Sequence, residues 1–255
     1  MDMIIKPPEI SHVPHLRVLF AEAFSEGEAF LDDFFDIGFS PERSLAALEQ
    51  DKLIGALYWF DCEQDGAKVA YVFGVAVIQD CRGAGVGSAL LLETEKHLRK
   101  LGYASIILVP ASERLFDYYS ALGYKEASGL SELHINTSGT PAELTRIGLS
   151  RYAELRRAML PCGGVIEEGA ILEMLASGAE FYTGSDFLLA RLRTEEQLFV
   201  IELLGNTDRA SDITATFGHK SGVFRTAGSE RKFTMYLPLR DDAVPPTYFG
   251  IALDV

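Results

Sequence analysis

The residues best placed to do chemistry lie between positions 75 and 96, VAVIQDCRGAGVGSALLLETEK. A strand-like apolar run stops near Gln79, and Arg82-Gly83-Ala84-Gly85-Val86-Gly87-Ser88 follows. A helix is predicted to begin inside that turn. Such a junction aims several backbone N–H groups and the positive helix end at one point, which makes an anion site. Glycine lets the backbone reach positive φ and approach phosphate oxygens closely. Arg82 adds a fixed cation. The chemistry of this segment is therefore recognition of a phosphate or pyrophosphate.

A P-loop requires Gly-Lys-Ser/Thr, which the sequence lacks. A dinucleotide fingerprint could be drawn through Gly83, Gly85 and Ser88. It needs an acidic residue at the end of the next strand, and SIILVPA is apolar there. This disfavours a nicotinamide-dependent enzyme. The third reading is a resemblance. Arg82-x-x-Gly85-x-Gly87 after Val75-Ala76-Val77 resembles motif A of the GNAT-type N-acetyltransferases. Downstream, LFDYYSALGY resembles the family's Phe-Tyr…Leu-Gly-Phe segment, with Tyr119 at the tyrosine position and Tyr124 in place of the final Phe. The resemblance covers residues 3–128.

This resemblance implies an acetyl-CoA-dependent N-acyltransferase. Val75, Ala76 and Val77 would hydrogen-bond the pantetheine arm through their backbone, on a strand that splays from its neighbour. Arg82, Gly83, Ala84, Gly85, Val86, Gly87 and Ser88 would hold the CoA pyrophosphate. Tyr119 would protonate the departing thiolate. An amine would attack the thioester directly, so none of Cys62, Cys81 and Cys162 need act as nucleophile. Many family members carry Asn where this chain has Ser112, a shorter group that also suits a helix N-cap. The reaction needs a proton acceptor, and VAYVFGVAV contains no Glu; Glu63, Asp61 and Tyr71 stand nearby as alternatives.

Glu22, Glu26, Glu28, Asp32, Asp33 and Asp36 crowd the first two helices, with Phe30, Phe34, Phe35 and Phe39 among them. In the family this region borders the acceptor. A carboxylate-lined mouth would draw a polyamine, an aminoglycoside-like compound or a lysine-type amine. A solvated helix face is the other reading, and the phenylalanines suit an acceptor with an apolar body.

The elements that must position these residues follow from periodicity. Residues 3–5 predict a strand, residues 11–24 a helix capped by Ser11, and residues 28–38 a second helix. SLAALEQ and LIGALYWF predict a hairpin, and VAYVFGVAVIQ a central two-sided strand. Residues 85–101 predict a helix that buries Val86, Leu90, Leu91, Thr94, Leu98 and Leu101, with Gly102 after its end. A strand (ASIILVPA), a helix (SERLFDYYSALG) and a strand (YKEA) complete the first half. The composition turns to Ser, Thr and Gly over 128–141, which places the boundary between domains 1–130 and 131–255 there. The second half reads α-α-β-β-α-β-β, ending in a closing hairpin of GVFRTAG and RKFTMYLPL, a faint echo of the first. Its motif-A counterpart, around Gly205-Asn206-Thr207-Asp208, lacks the glycine loop, and Asp208 would repel a pyrophosphate. The expected fold is α/β: a GNAT-like twisted mixed sheet flanked by helices, with a second, smaller α+β domain that resembles a degenerate tandem copy.

The 255 residues suit one large domain or two small ones. A net charge of −14 argues against nucleic-acid and anionic-membrane partners. The excess is heavier in residues 1–130, with 11 basic and 20 acidic residues, which suits a cationic ligand there. Three scattered cysteines and five histidines without ligand spacing predict neither disulfides nor a metal site. The cysteine usage makes a reducing cytoplasm the expected location; the amino terminus lacks a signal-peptide pattern and no apolar run reaches spanning length. The expected partner is a small-molecule amine, and the second half could shape its pocket or form a homodimer contact. The alternative from another class is a non-catalytic, CoA-binding regulatory module.

Overall fold

The computed structural model describes residues 3–137, 139–194 and 196–253. Strands β1 (Met3–Lys6), β2 (Ser44–Glu49), β3 (Lys52–Gln64), β4 (Ala67–Val77), β5 (Ser105–Leu108) and β6 (Lys125–Glu126) alternate with helices α1 (Val13–Phe24), α2 (Glu28–Asp33), α3 (Val86–Lys100) and α4 (Glu113–Ala121). The chain continues through β7 (Gly129–Asn136), β8 (Thr145–Ile147), α5 (Leu149–Met159), β9 (Ile166–Glu167), α6 (Ala170–Gly178), β10 (Ala179–Thr183), β11 (Phe187–Leu192) and β12 (Leu198–Gly205). It closes with α7 (Ala210–Thr216), β13 (Ser221–Gly228), β14 (Arg231–Lys232) and β15 (Met235–Pro238).

Local chemistry accounts for the first half. Gln50 and Asp51 (φ 49° and 61°) join β2 to β3, and Asp65 and Gly66 (φ 49° and 79°) join β3 to β4. Two consecutive positive φ values match the right-handed twist of the paired strands. α1 begins with a proline in its first turn, buries Leu16, Leu19 and Phe20, and ends on Ser25 in the left-handed region at φ 59°. Ser11 lies in a 3-10 turn over Ile10–His12 and is not the cap of α1. The expected second helix is α2 followed by a π-type turn over Phe34–Gly38. α3 buries Val86, Leu90, Leu91, Thr94 and Leu98; Leu101, just past its end, is exposed.

The tertiary order was not foreseeable from these local signals. The first sheet runs β1-β2-β3-β4-β5-β15-β6 and the second β14-β7-β13-β12-β11-β10-β8, with β9 added beside β3. Read from β1 and from β8, the two sheets have the same plan. Each has one parallel contact at the same place, β4 with β5 and β12 with β13, and antiparallel neighbours elsewhere. The boundary stretch 128–141 contains β7, which pairs with β13 along eight residues. No closing hairpin forms: β13 pairs with β7 and β12, whereas β15 enters the first sheet between β5 and β6. The second half thus lends β15, as well as β9, to the first sheet. Met235 and Leu237 of β15 join one core and Tyr236 the other, so the inserted strand is apolar on both sides. Arg99 of α3 donates to the carbonyls of Pro238 and Leu239 and ties down its end.

One core lies between α3, α4 and the first sheet, around Trp59, Leu90 and Leu108. The opposite face of that sheet joins Phe20, Phe34, Tyr58 and Phe73 to Tyr152, Leu172, Leu188 and Phe249 from the second half in one cluster. Apolar burial therefore continues across the junction rather than stopping there. Among the described residues, no helix is long and apolar enough to cross a membrane.

Candidate active site

β4 carries a bulge where the chemistry was expected. Tyr58 faces Phe73 and Ala56 faces Ala76, so Gly74 and Val75 together oppose Leu57. Gly74 sits at φ +63°, and a Cβ there would come within 2.8 Å of the Phe20 ring. The extra residue bends the strand. β4 pairs with β5 only over Val69–Tyr71 and Ser105–Ile107, and the strands then part. Between them opens a cavity of about 310 Å³, lined by residues 72–75, Leu108, Val109, Ala111, Leu115, Tyr119, Phe24 and Glu26. Along this stretch β4 has lost its parallel partner, so the backbone groups on that edge are available to an extended ligand.

The glycine loop lies at the end of the parting strand. Gly83 and Gly85 adopt φ +78° and +85°, and α3 begins at Val86. The first N–H groups of α3, from Val86, Gly87 and Ser88, have no intrahelical acceptor and sit at the positive end of its dipole. The exposed Arg82 side chain donates Nε to the Val77 carbonyl at 3.0 Å, which holds its guanidinium against the strand end. Ser88 Oγ lies 3.0 Å from the hydroxyl of Tyr118. That hydroxyl would be 3.3 Å from a Cβ at Gly87, so Gly87 is where α3 and α4 approach. Tyr118 was missed in the sequence. Its only signal was the Tyr118-Tyr119 pair, which α4 directs to two places about 100° apart. Tyr119 is buried, lines the cavity, and packs 5.7 Å from Tyr124 and 5.1 Å from Tyr118, ring centre to ring centre.

Residues 13–124 match the model of the Acetyltransferase (GNAT) family. The first half of the chain is therefore similar to a GNAT domain over these residues. Similar solved structures include GCN5-related N-acetyltransferases from Kribbella flavida and Anabaena variabilis. The first is 18% identical, with a TM-score of 0.72 over 93% of this chain and 72% of that one. The second is 16% identical, with a TM-score of 0.74 over 93% and 73%. A probable N-acyltransferase from Enterococcus faecalis is 16% identical, with a TM-score of 0.70 over 94% and 73%. At these identities the similarity speaks to the fold, and it extends over both halves. No curated protein sequence matches the chain.

Within the first half the structure separates the remaining candidates. Ser112 is exposed ahead of α4, and its hydroxyl does not cap the helix; its carbonyl accepts from Leu115 N at 3.0 Å. None of the three suggested proton acceptors lines the cavity. Asp61 lies opposite Ala70, toward the other end of β3, where it accepts from the Tyr103 hydroxyl and pairs with Lys68 at 3.4 Å. Burial pushes the Tyr103 phenol up. Glu63 faces Arg157 at 3.5 Å. Tyr71 is fully buried, its ring 4.8 Å from Phe249. The acidic cluster also divides. Arg17 binds Glu28 at 2.9 Å and Asp32 at 2.7 Å, Glu22 lines a separate groove beside His12 and His15, and Glu26 faces the cavity.

In the second half a side chain bridges the strands at the place corresponding to the cavity. β12 and β13 pair over residues 198–200 and 222–224 and then part as β4 and β5 do. There Thr226 Oγ1 donates to the Leu203 carbonyl at 3.0 Å, bridging the two strands. The following turn is also satisfied internally, since Asn206 Oδ1 accepts from Asp208 N at 3.0 Å. These groups and the Asp208 charge replace the glycine loop.

Proposed function

We propose that this protein is an acetyl-CoA-dependent N-acyltransferase that moves an acetyl group to the amine of a small acceptor by direct attack. The observation that carries the reading is the continuity of one path. The glycine loop and the start of α3 sit at the end of β4, the parted β4 edge leads away from them, and Tyr119 lies in the cavity beside that edge. The thioester supplies an activated acetyl group and a thiolate leaving group. Residues 82–88 hold the pyrophosphate with backbone N–H groups, the α3 dipole and Arg82. The β4 backbone at Val75–Val77 orients the pantetheine amides, and apolar Leu108, Val109 and Leu115 shield the reacting carbon from water. Tyr119 is the proton donor to the leaving sulfur. Ser112 serves the donor site through its position before α4. A protein nucleophile is unnecessary, which fits Cys62 being buried. The second half supplies β15 and the shared core, while the single donor site stays in the first half.

The test is calorimetric titration of the full chain with acetyl-CoA and with CoA, repeated on Arg82→Glu. The reading expects one site per chain, weakened at least about tenfold by the charge reversal, or 1.4 kcal/mol. No binding to the unaltered protein rejects it. Two sites per chain reject the confinement of the donor site to the first half.

A further inference from the structure

We infer that Glu26 receives the ammonium group of the acceptor and takes its proton, and that the acceptor is a monoamine on an apolar body. This rests on the acyltransferase reading and names its acceptor class. Six carboxylates crowd the first two helices, yet they do not form one acidic mouth. Arg17 neutralises Glu28 and Asp32, and Glu22 faces the separate groove. Glu26 is the charged residue that lines the cavity, and among the described residues it has no ion-pair partner. Ser25, in the left-handed region, turns the chain at the end of α1 and brings Glu26 over the parted strand.

The rest of the wall decides the body of the acceptor. Phe24, Phe73, Leu108, Val109 and Leu115 offer carbon surface. One carboxylate matches one ammonium. A second cationic group on the same molecule would lie against these side chains without a partner, which is costly. A polyamine or an aminoglycoside-like compound is thereby disfavoured.

The proton balance closes with two groups. Glu26 accepts the proton that frees the amine lone pair. The nitrogen bonds to the thioester carbon, the carbon–sulfur bond breaks, and Tyr119 protonates the sulfur. The second N–H proton returns to the Tyr119 phenolate through water, and Glu26 releases its proton to solvent.

The experiment measures thiol release from acetyl-CoA by the full chain with phenethylamine, hexylamine, spermidine and kanamycin. It is run on the unaltered protein, Glu26→Gln and Glu26→Asp, with CoA affinity and melting temperature measured for each. Glu26→Gln is expected to lower kcat/KM for phenethylamine about 10²-fold with CoA affinity and melting temperature unchanged. Glu26→Asp should recover part of the loss. Phenethylamine should exceed spermidine in kcat/KM by at least about tenfold. Glu26→Gln within about threefold of the unaltered protein overturns the role of Glu26. Preference for spermidine or kanamycin overturns the acceptor class. CoA binding without turnover of either monoamine also overturns the acceptor class and leaves the donor site standing. Absence of CoA binding rejects the donor site itself and this inference with it.

Discussion

Arg156 on α5 and Glu202 on β12 meet in a two-pronged contact, Nε to Oε2 at 2.8 Å and Nη2 to Oε1 at 2.9 Å, with both side chains fully buried. The same guanidinium donates to Glu167 of β9, the short strand beside β3. Tyr152 and Tyr248 donate to Glu202, and Ile251 N donates to Glu167 at 2.9 Å. The knot joins α5, β9, β12 and the tail after β15, so it fastens the second half to the first sheet. Arg156→Ala leaves two buried carboxylates without their cation and is expected to cost about 3–5 kcal/mol. Chemical denaturation checks this; a loss under about 1 kcal/mol rejects the knot as a structural tie.

The knot also sets a pH dependence. Burial, opposed by Arg156, pushes Glu167 up to about 7, from 4.5 in the unfolded chain. Between those values the folded state keeps a proton that the unfolded state has lost. Stability from this group therefore falls as pH rises from about 4.5 to about 7 and is flat above, by at most about 3 kcal/mol. Unfolding free energies measured across pH 5 to 8 should show this slope, and Glu167→Gln should flatten it.

Gly74 links stability to the donor site. An L-residue at φ +63° costs about 1–2 kcal/mol, and its Cβ must also displace the Phe20 ring. Gly74→Ala is expected to lower stability by about 2 kcal/mol and weaken CoA binding, because the bulge that parts β4 from β5 is strained. Gly27→Ala is the control, since a Cβ there meets nothing within 4 Å; its effect should stay within about 0.5 kcal/mol. Equal effects of the two substitutions on CoA affinity would show that the bulge is irrelevant to the site.

Tyr119→Phe should keep the ring packing against Tyr118 and Tyr124 while removing the acid. The expected result is kcat lower by about 10²-fold, with CoA affinity unchanged, in stopped-flow and calorimetric measurements. An unchanged kcat assigns the proton to another donor.

The sequence by itself determined what depends on neighbours along the chain. The two tight hairpin turns, the amphipathic α3 with Gly102 after it, and the glycine loop between strand and helix are short-range consequences of residue type, and all were legible. Tyr119 stood out through its place in a local motif, and the fold places it on the cavity wall. Strand partners were another matter. Leu133 and Ile135 carry a period-two pattern, yet Ser, Thr and Gly around them hid the strand β7. Nothing local in Met235–Pro238 says that β15 belongs between β5 and β6 rather than beside β13, because both cores accept its apolar residues and pairing is decided by distant partners. The burial of Arg156 between Glu167 and Glu202 likewise depends on partners distant in the chain. The acidic cluster read as one surface until Arg17 claimed two members and Ser25 turned Glu26 toward the cavity. Charge and composition are properties of the chain, whereas the partner of a charge is a property of the fold.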